Sequence, residues 1–399
     1  MSTARSAHCP RADLSATGAD PKGPEMRIGI IAPPWIPIPP DAYGGIESFI
    51  DTLARALQEA GQDVVLAASD DSTSSVPRLD GFEPSDPETM GVTAHELRHL
   101  LRAFAGLKDV DVILDNTLAG PVLSKAETTV PVVTVAHGPL IPLEQELYLN
   151  ASADVSFVAI SHNQASLAGP VPITRVIHHG IRVGDVPIGP GGDAACFVGR
   201  MHASKGIPEA INAAEIAGIP LRIAAKMQEP AEEEYFEEVV RPRLGRNAEY
   251  LGELTAEEKY ELMGNSCALL NPIQWDEPFG LVMIEALATG SPVVATPRGS
   301  VQEIVEEGRT GFVRSAPREL AEALSRAADL DRGACRQAAE TRFSDTRMAA
   351  EYIDLFTELL RERRRLDRPY PDAAAVKGPA RRPLLERDAS AEPDPLPSS

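Results

Sequence analysis

The sequence predicts an α/β protein built from two doubly wound parallel sheets. Short apolar runs alternate with amphipathic helical segments along the chain, and the runs are apolar throughout, as strands covered on both faces require. A glycine- and proline-rich break at residues 182–193 divides the series in two. A length of 399 residues also exceeds one ordinary core and suits two domains.

The first domain is predicted at residues 26–181. It opens with the apolar run 26–33, which stops at a pair of prolines and is typical of a buried strand. A helix follows and ends at Gly61, because apolar residues recur on one helical face. That face consists of Ile46, Phe49, Ile50, Leu53, Ala54 and Leu57. Further strands are predicted at 63–67, 110–114, 130–136, 155–160 and 173–177.

The second domain is predicted at residues 194–344, after the break. Its strands are expected at 194–198, 221–225, 248–251, 268–271, 292–296 and 311–313. The chain then becomes helical, and its last helix, residues 345–366, is long enough to return to the first domain. Ligands of such sheets bind outside the carboxyl ends of the strands, so two domains of this kind predict a binding cleft between them.

Residues 1–25 and 367–399 are predicted to be a disordered leader and a disordered tail. Both are rich in proline, alanine and polar residues, and the leader lacks the apolar segment of a secretory signal. No apolar run approaches the ~20 residues of a membrane-spanning helix. The basic run 361–365 would allow peripheral contact with a membrane, but cations at a helix carboxyl end are the preferred explanation.

The charge and the cysteines exclude several classes of function. A formal net charge of −21 argues against a nucleic-acid partner, which would need a basic face. The cysteines have neither zinc-ligand nor disulfide-framework spacing, so reduced thiols and a cytoplasmic location are expected. They are Cys9, Cys196, Cys267 and Cys335. His178 and His179 are adjacent, would face opposite sides of a strand and have no third ligand spaced nearby, so neither a metal site nor a cofactor is predicted.

The densest chemical signal is the segment 275–290. Pro278 suits the first turn of a helix and Gly290 suits its carboxyl end. The free amides of Phe279, Gly280 and Leu281 are therefore expected to point from the start of the helix into the cleft. Amides in that position bind oxyanions or sugar hydroxyls.

Two glutamates in this segment are candidate ligands for a sugar. Glu277 precedes the predicted helix, and Glu285 lies about two turns inside it. A carboxylate accepts hydrogen bonds from two vicinal hydroxyls, which suits a ribose or a hexose. The alternative is that Glu277 is a helix-start charge and Glu285 a solvated helix residue, although the apolar neighbours of Glu285 argue against a solvated face.

Arg200 and Lys205 follow the first strand of the second domain. An arginine and a lysine at a strand-to-helix crevice can bracket a diphosphate, the first as a bidentate donor and the second as a point charge. A surface basic pair is the alternative, but cations are unfavourable near a helix amino end unless an anion is bound. The chain lacks both a Walker A loop and a Gly-x-Gly-x-x-Gly motif after its first strand, which disfavours a kinase and a dehydrogenase.

Two segments of the first domain complete the candidate site. Gly44 and Gly45, at the start of the first helix, allow backbone contact with a phosphate or sugar, and a plain turn is the alternative. His137 follows the strand at 130–136, where its side chain is expected to face the cleft. A structural histidine is the alternative there, and its strand-end placement favours a role in the site.

The sequence resembles glycosyltransferase family 4, whose GT-B fold places two Rossmann-like domains on either side of an interdomain cleft. The resemblance covers residues 26–365, and its most specific motif is the pair Glu277 and Glu285 within Glu-Pro-Phe-Gly-Leu-Val-Met-Ile-Glu-Ala. The other matching segments are Arg200 with Lys205, the glycine loop at 43–47, His137, and the run 299–303 with Glu303.

The resemblance implies a retaining glycosyltransferase that needs no metal and uses a UDP-, GDP- or ADP-sugar donor with a sugar or other hydroxyl acceptor. Arg200 and Lys205 would stabilise the leaving diphosphate, and Glu285 would hold the ribose. The groups implied to contact the sugar or the phosphates are Glu277, His137, Gly44, Gly45, and the amides of Phe279, Gly280, Leu281 and Val282.

Two other functions fit the same pattern. A sugar-nucleotide epimerase of this architecture would bind the same donor without an acceptor, and a non-catalytic protein would keep only the donor pocket. The segment 224–227 lacks the glycine that many relatives carry after that strand, so the nucleotide base stays open.

Overall fold

The computed structural model describes residues 25–40 and 44–366. The predicted tail, the predicted leader up to residue 24, and Tyr43 of the first glycine loop lie outside the described residues. The chain forms one compact unit up to Leu360, and a second unit begins at Arg361. The sheets, the cavities and the contacts described below belong to the first unit.

The first sheet has six parallel strands in the order β2-β1-β3-β4-β5-β6. The strands are β1 (Arg27–Ile31), β2 (Asp63–Ala67), β3 (Val112–Asp115), β4 (Val132–Ala136), β5 (Val155–Ala159) and β6 (Ile173–Val176). The helices that accompany them are α1 (Gly45–Glu59), α2 (Thr93–Gly106), α3 (Gly120–Glu127), α4 (Pro142–Ala151) and α5 (His162–Ser166).

The second sheet repeats this plan, with six parallel strands in the order β12-β11-β10-β7-β8-β9. The strands are β7 (Ala195–Arg200), β8 (Leu221–Lys226), β9 (Ala248–Gly252), β10 (Leu269–Asn271), β11 (Val293–Ala295) and β12 (Gly311–Val313). The helices are α6 (Ile207–Ala217), α7 (Pro230–Tyr235), α8 (Ala256–Gly264), α9 (Leu281–Ala288), α10 (Val301–Ile304), α11 (Pro317–Ala327), α12 (Arg332–Arg342) and α13 (Asp345–Leu366).

The predicted α/β class with parallel sheets is confirmed, and every strand predicted from the sequence is present. The ends of the predicted and observed strands differ by two residues at most. This agreement has a physical cause, since strands in the middle of a doubly wound sheet are buried on both faces and must be apolar throughout. The limits of the two domains stay predictions.

The strand order explains where a ligand can bind. In the first sheet β2 and β3 lie on opposite sides of β1, and in the second sheet β8 and β10 lie on opposite sides of β7. The loops after such strands diverge to opposite faces and leave a crevice at the carboxyl edge. The glycine loop follows β1, and the Arg200 to Lys205 segment follows β7, so both candidate segments start at these points.

The last helix packs against the first helix of the chain. The ring of Tyr352 in α13 is fully buried, and its centroid lies 6.3 Å from that of Phe49 in α1. Nearer the start of α13, Arg347 donates hydrogen bonds to the carbonyls of His178 and His179. The helix therefore supports the segment after β6 that reaches the candidate site.

Helix α8 begins with a reciprocal cap, and the loss of this cap should lower the free energy of unfolding. The Thr255 hydroxyl accepts from the Glu258 amide at 3.3 Å, and the Glu258 carboxylate accepts from the Thr255 amide at 2.9 Å. Thr255→Ala removes one half of this cap, so we expect the free energy of unfolding to fall by about 1 kcal/mol. Urea unfolding measures this change. Thr255→Ser keeps the hydroxyl and should unfold like the wild type, and an equal loss in both variants would contradict the assignment to the cap.

Candidate functional site

A cavity of about 520 Å³ lies where the carboxyl edges of the two sheets meet. Every candidate site residue predicted from the sequence lines it, although the first sheet and the second sheet contribute residues far apart in the chain. These residues are Gly44, Gly45, His137, Arg200, Lys205, Glu277, Phe279, Gly280, Leu281, Val282 and Glu285. The structure thus brings the whole predicted set together, while the role of each residue stays a prediction.

Lys205 reaches this cavity because of a sharp turn after β7. Gly206 has φ +73°, and a Cβ there would lie 2.0 Å from the carbonyl oxygen of Pro272, so only glycine fits. The neighbouring Ser204 carbonyl accepts from the Gln274 amide at 2.7 Å. The turn is therefore held against the loop after β10. Helix α6 begins at Ile207, directly after the left-handed Gly206.

Both predicted cations are paired with carboxylates. The Lys205 ammonium donates to Glu277 Oε1 at 2.6 Å, and both side chains are largely buried. Arg200 is more exposed, and its Nε lies 3.4 Å from Oε1 of Glu232, a residue that is 1% exposed. An ammonium has three N–H donors and a guanidinium has five, so both cations keep donors for a further anion.

The helix that carries Glu285 begins later than the sequence predicted. Pro278 does not open it, since α9 starts at Leu281 and Gly280 precedes it with φ +87°, outside the right-handed helical region. The amides of Phe279 and Gly280 therefore belong to a loop, and those of Leu281 and Val282 form the start of the helix. The loop is anchored, because the Ser300 amide donates to the Glu277 carbonyl at 3.2 Å.

Glu285 has a partner that the sequence analysis missed. The Lys259 ammonium in α8 donates to Glu285 Oε1 at 2.6 Å, and the Glu285 side chain is 13% exposed. Both residues line the main cavity and a second cavity of about 350 Å³ that adjoins it. No local pattern marks Lys259, because α8 and α9 are brought together only by the packing of the second domain.

The glycine loop contributes the amino end of α1. Gly44 precedes the helix with an extended backbone, and a Cβ there would meet Pro40 Cβ at 2.7 Å. At Gly45 the nearest atom to a Cβ would be Leu281 Cδ1 at 3.8 Å, which is ordinary contact between the two halves of the cavity wall. Gly44 is therefore required by packing, whereas Gly45 leaves its backbone open to the cavity.

His137 is held in one orientation by Asn116. The Asn116 amide donates to the Ile31 carbonyl at 3.0 Å, which turns Oδ1 toward His137 Nε2 at 2.9 Å. Nε2 therefore carries the hydrogen, and Nδ1 keeps its lone pair. Burial lowers the pKa of His137 to about 3, so the ring is neutral at physiological pH.

This lowered pKa predicts a pH dependence of stability. His137 takes up a proton below about pH 6.5 in the unfolded chain but only near pH 3 in the folded chain. The free energy of unfolding therefore decreases as the pH falls from 6.5 to about 3. His137→Gln should flatten the slope by about 1.4 kcal/mol per pH unit. Urea unfolding at about pH 5.5 and about pH 4.5 measures the slope. The half-exposed His95→Gln is the control, and an unchanged slope in His137→Gln would refute the assignment.

His178 and His179 lie after the end of β6 and not on a strand as predicted, and both rings approach Phe279, with centroid distances of 5.7 and 5.1 Å. His179 is 4% exposed and lines the main cavity, where its ring stacks on His137 with centroids 5.6 Å apart. His178 instead hydrogen-bonds Glu303 at 2.7 Å. The expectation that no third potential ligand lies near them is wrong, because Glu303 and His162 group with His178. Folding brings these residues together from three separate segments.

Glu303 in α10 joins the two halves of the molecule. Its carboxylate accepts from the amides of His162 and Asn163 at the start of α5 at 2.8 and 2.7 Å, besides His178. Burial by itself raises the pKa of Glu303, but these hydrogen bonds together outweigh it and lower the pKa below its ordinary value.

Among the described residues, no helix is long and apolar enough to cross a membrane.

Two family models match consecutive parts of the chain. The model described as Glycosyltransferase Family 4 matches residues 43–184, and the model described as Glycosyl transferases group 1 matches residues 186–342. The break between the matches lies in the glycine- and proline-rich segment after β6.

Curated relatives match most of the chain at low identity. A glycogen synthase of Mycobacterium tuberculosis is 27% identical over 353 residues, covering 74% of this chain and 84% of the relative. A phosphatidyl-myo-inositol mannosyltransferase of Propionibacterium freudenreichii is 26% identical over 348 residues, covering 76% of this chain and 88% of the relative.

Solved structures share the fold. Sucrose-phosphate synthase of Thermosynechococcus elongatus superimposes with a TM-score of 0.70 at 19% identity, covering 85% of this chain and all of the other. AviGT4, a glycosyltransferase of avilamycin A biosynthesis, superimposes with a TM-score of 0.67 at 23% identity, covering 84% of this chain and 98% of AviGT4. HepE of Anabaena in complex with UDP-glucose superimposes with a TM-score of 0.65 at 19% identity, covering 84% of this chain and 100% of HepE.

Proposed function

Because this chain belongs to the family 4 type of GT-B glycosyltransferases, we propose that it transfers a hexosyl group from a nucleotide diphosphate sugar to an acceptor hydroxyl with retention of configuration. A solved structure of the same fold carries UDP-glucose, which supports a nucleotide-sugar donor. The observation that carries the proposal is the convergence of two cations, one helix amino end and two glutamates in a single cavity.

The proposed reaction breaks the bond between the anomeric carbon and the diphosphate oxygen. The electron pair leaves with the diphosphate, and positive charge develops on the sugar. Arg200 and Lys205 face the cavity where the negative charge would grow, and fixed cations stabilise such a transition state more than the ground state. Each of these cations already pairs with a carboxylate, so the N–H donors that remain on them are the groups left for the diphosphate.

The acceptor hydroxyl is proposed to attack from the face that the diphosphate leaves. Its oxygen bonds to the anomeric carbon, and its proton passes to an oxygen of the departing diphosphate. Retention follows because the new bond replaces the old one on the same face. His137 is neutral and its Nδ1 lone pair is free, so it can accept a hydrogen bond from a sugar hydroxyl in the same cavity.

Metal independence is part of the proposal and makes a prediction. We assign the neutralisation of the diphosphate to Arg200, Lys205 and the amides of Leu281 and Val282. Turnover should therefore be unchanged in excess EDTA and should not rise when Mg²⁺ or Mn²⁺ is added. Loss of turnover with the chelator, restored by either ion, would contradict this assignment.

Donor binding and product analysis test the function itself. Thermal-shift measurements against UDP-, GDP-, ADP- and dTDP-sugars should select one nucleotide, because a ligand at 100 times its Kd adds ~2.7 kcal/mol of stability. NMR of the product then gives the anomeric configuration. Inversion would refute the retaining mechanism. Conversion of the donor to an epimer without acceptor would indicate an epimerase, and binding without turnover across an acceptor panel would indicate a sensor.

The proposed setting is the cytoplasm. The cysteines that the structure describes, Cys196, Cys267 and Cys335, are buried free thiols, which supports a reducing compartment. Cys9 lies outside the described residues.

A further inference from the structure

Three side chains that can bind a metal ion lie together outside the main cavity. They are His162 at the start of α5, His178 after β6 and Glu303 in α10, and one ligand atom of each lies within 4.8 Å of those of the other two. None of these three residues lines the main cavity or the second cavity beside it. Their grouping is therefore a feature of the molecule separate from the donor site.

Two imidazoles and one carboxylate are a ligand set that suits Zn²⁺. This ion binds imidazole nitrogen at about 2.0–2.1 Å and carboxylate oxygen at about 2.0–2.2 Å, and three protein ligands leave its fourth position to water. His162 is exposed, and His178 and Glu303 are partly exposed, so an ion can enter from solvent. Mg²⁺ and Ca²⁺ prefer sets made only of oxygen ligands and fit these residues less well.

Two backbone amides fix the orientation of the Glu303 carboxylate. The amide of His162 donates to Oε2 at 2.8 Å, and the amide of Asn163 donates to Oε1 at 2.7 Å. A carboxylate offers about four lone-pair sites, so these amides leave others for a metal ion. Carboxylates that bind metals are themselves hydrogen-bonded in this way. The turn that carries the His162 ring thus also fixes the Glu303 carboxylate.

The third ligand atom is already beside this carboxylate. His178 Nε2 lies 2.7 Å from Glu303 Oε2. A neutral imidazole can carry its hydrogen on either nitrogen, so a shift of the hydrogen to Nδ1 gives Nε2 a lone pair for a metal ion. The two atoms would then move apart to about 3.3 Å, the separation of two tetrahedral ligands around Zn²⁺. The exposed His162 ring can turn toward the same ion.

We propose that His162, His178 and Glu303 form a binding site for Zn²⁺ or a similar transition-metal ion. The two histidines follow strands of the first sheet, and Glu303 lies between β11 and β12 of the second, so the ion clamps the two halves of the molecule together. Turnover does not need this ion, because the three ligands lie outside the cavity that holds the proposed reaction. The inference is independent of the proposed function.

Zn²⁺ binding to the full-length protein, after treatment with a chelator and dialysis, tests the inference. Zn²⁺ should raise the Tm of the wild type, because an ion that binds the folded chain stabilises it, and the same concentration of Mg²⁺ should not. His162→Ala removes one imidazole and keeps the amide that donates to Glu303. Isothermal titration should show that this variant binds Zn²⁺ about 100-fold more weakly or worse, since losing an outer-shell partner alone costs about 10–100-fold.

Further variants assign the binding to this site. His178→Gln removes the other imidazole and should weaken Zn²⁺ binding to a similar degree. His95→Ala is the matched control, because it removes a histidine of α2 and should bind Zn²⁺ like the wild type. His8 and Cys9 lie outside the described residues and are also possible Zn²⁺ ligands. Each titration is therefore repeated with His8→Ala and Cys9→Ser present, and the site should persist.

Two results would overturn the inference. One is the absence of Zn²⁺ binding in the protein that carries His8→Ala and Cys9→Ser. The other is a Kd for Zn²⁺ within twofold of the wild-type value in both His162→Ala and His178→Gln. None of these titrations contains a nucleotide sugar, so their failure would leave the proposed function standing, and a failure of the proposed function would leave the metal site standing.

Discussion

Replacing Lys205 with alanine should lower kcat by about 10²-fold or more, the effect expected from losing one preorganised charge donor at a developing anion. The largely buried ammonium sits in the cavity within reach of the proposed diphosphate and keeps two N–H donors beyond the one given to Glu277. Arg200→Ala should act in the same direction. Steady-state kinetics with the selected nucleotide sugar measure both variants.

Two further variants separate this effect from loss of structure. Lys108→Ala removes an exposed lysine of the first half of the chain and should leave kcat unchanged. Glu277→Gln keeps the shape of the Lys205 partner and removes its charge. It should raise KM for the donor, because the carboxylate that we propose to bind sugar hydroxyls is lost. Near-normal kcat in both Lys205→Ala and Arg200→Ala would refute the assignment of these cations to the leaving group.

Glu285→Gln should weaken binding of the nucleoside diphosphate by about 10²-fold. The largely buried carboxylate is proposed to accept hydrogen bonds from ribose hydroxyls, and hydrogen bonds to a charged group contribute about 1.5–3 kcal/mol each. Glutamine keeps the size of the side chain and loses the charge. Isothermal titration with the free diphosphate measures the change in Kd, and the exposed Glu322→Gln in α11 serves as the control.

The ribose assignment has its own test. A diphosphate that lacks the contacted ribose hydroxyl should bind wild type and Glu285→Gln with more similar Kd values than the intact diphosphate does. Lys259→Met should weaken binding less than Glu285→Gln, because it removes only the residue that positions the carboxylate. If the loss in Glu285→Gln were the same with and without the ribose hydroxyls, the carboxylate would not be a ribose ligand.

The positions of the candidate residues follow from the sequence because strand ends are visible in it. Arg200 closes β7, and His137 comes directly after β4. In a doubly wound sheet such ends share one edge, so residues far apart in the chain can be assigned to one cleft from the strand pattern alone. The family resemblance added a role for each residue.

The start of α9 shows where local patterns fail. Proline at 278 is compatible with a first helical turn, and the sequence favours that start. The observed start at Leu281 depends on the loop at Gly299, where a Cβ would lie 2.2 Å from the Glu277 carbonyl oxygen. This contact joins the segments that follow two different strands of the second sheet, and a local pattern contains no information about it.

The sequence by itself determined the two parallel sheets, their strands and the residues at the strand ends, because burial on both faces imposes an apolar run that can be read locally. Only the tertiary structure decided which charges are paired. It brings Lys259 to Glu285 and Lys205 to Glu277. The physical reason is that a hydrogen bond or ion pair depends on distances of a few ångströms between separate elements. Those distances are fixed by packing, which no single segment of the chain specifies.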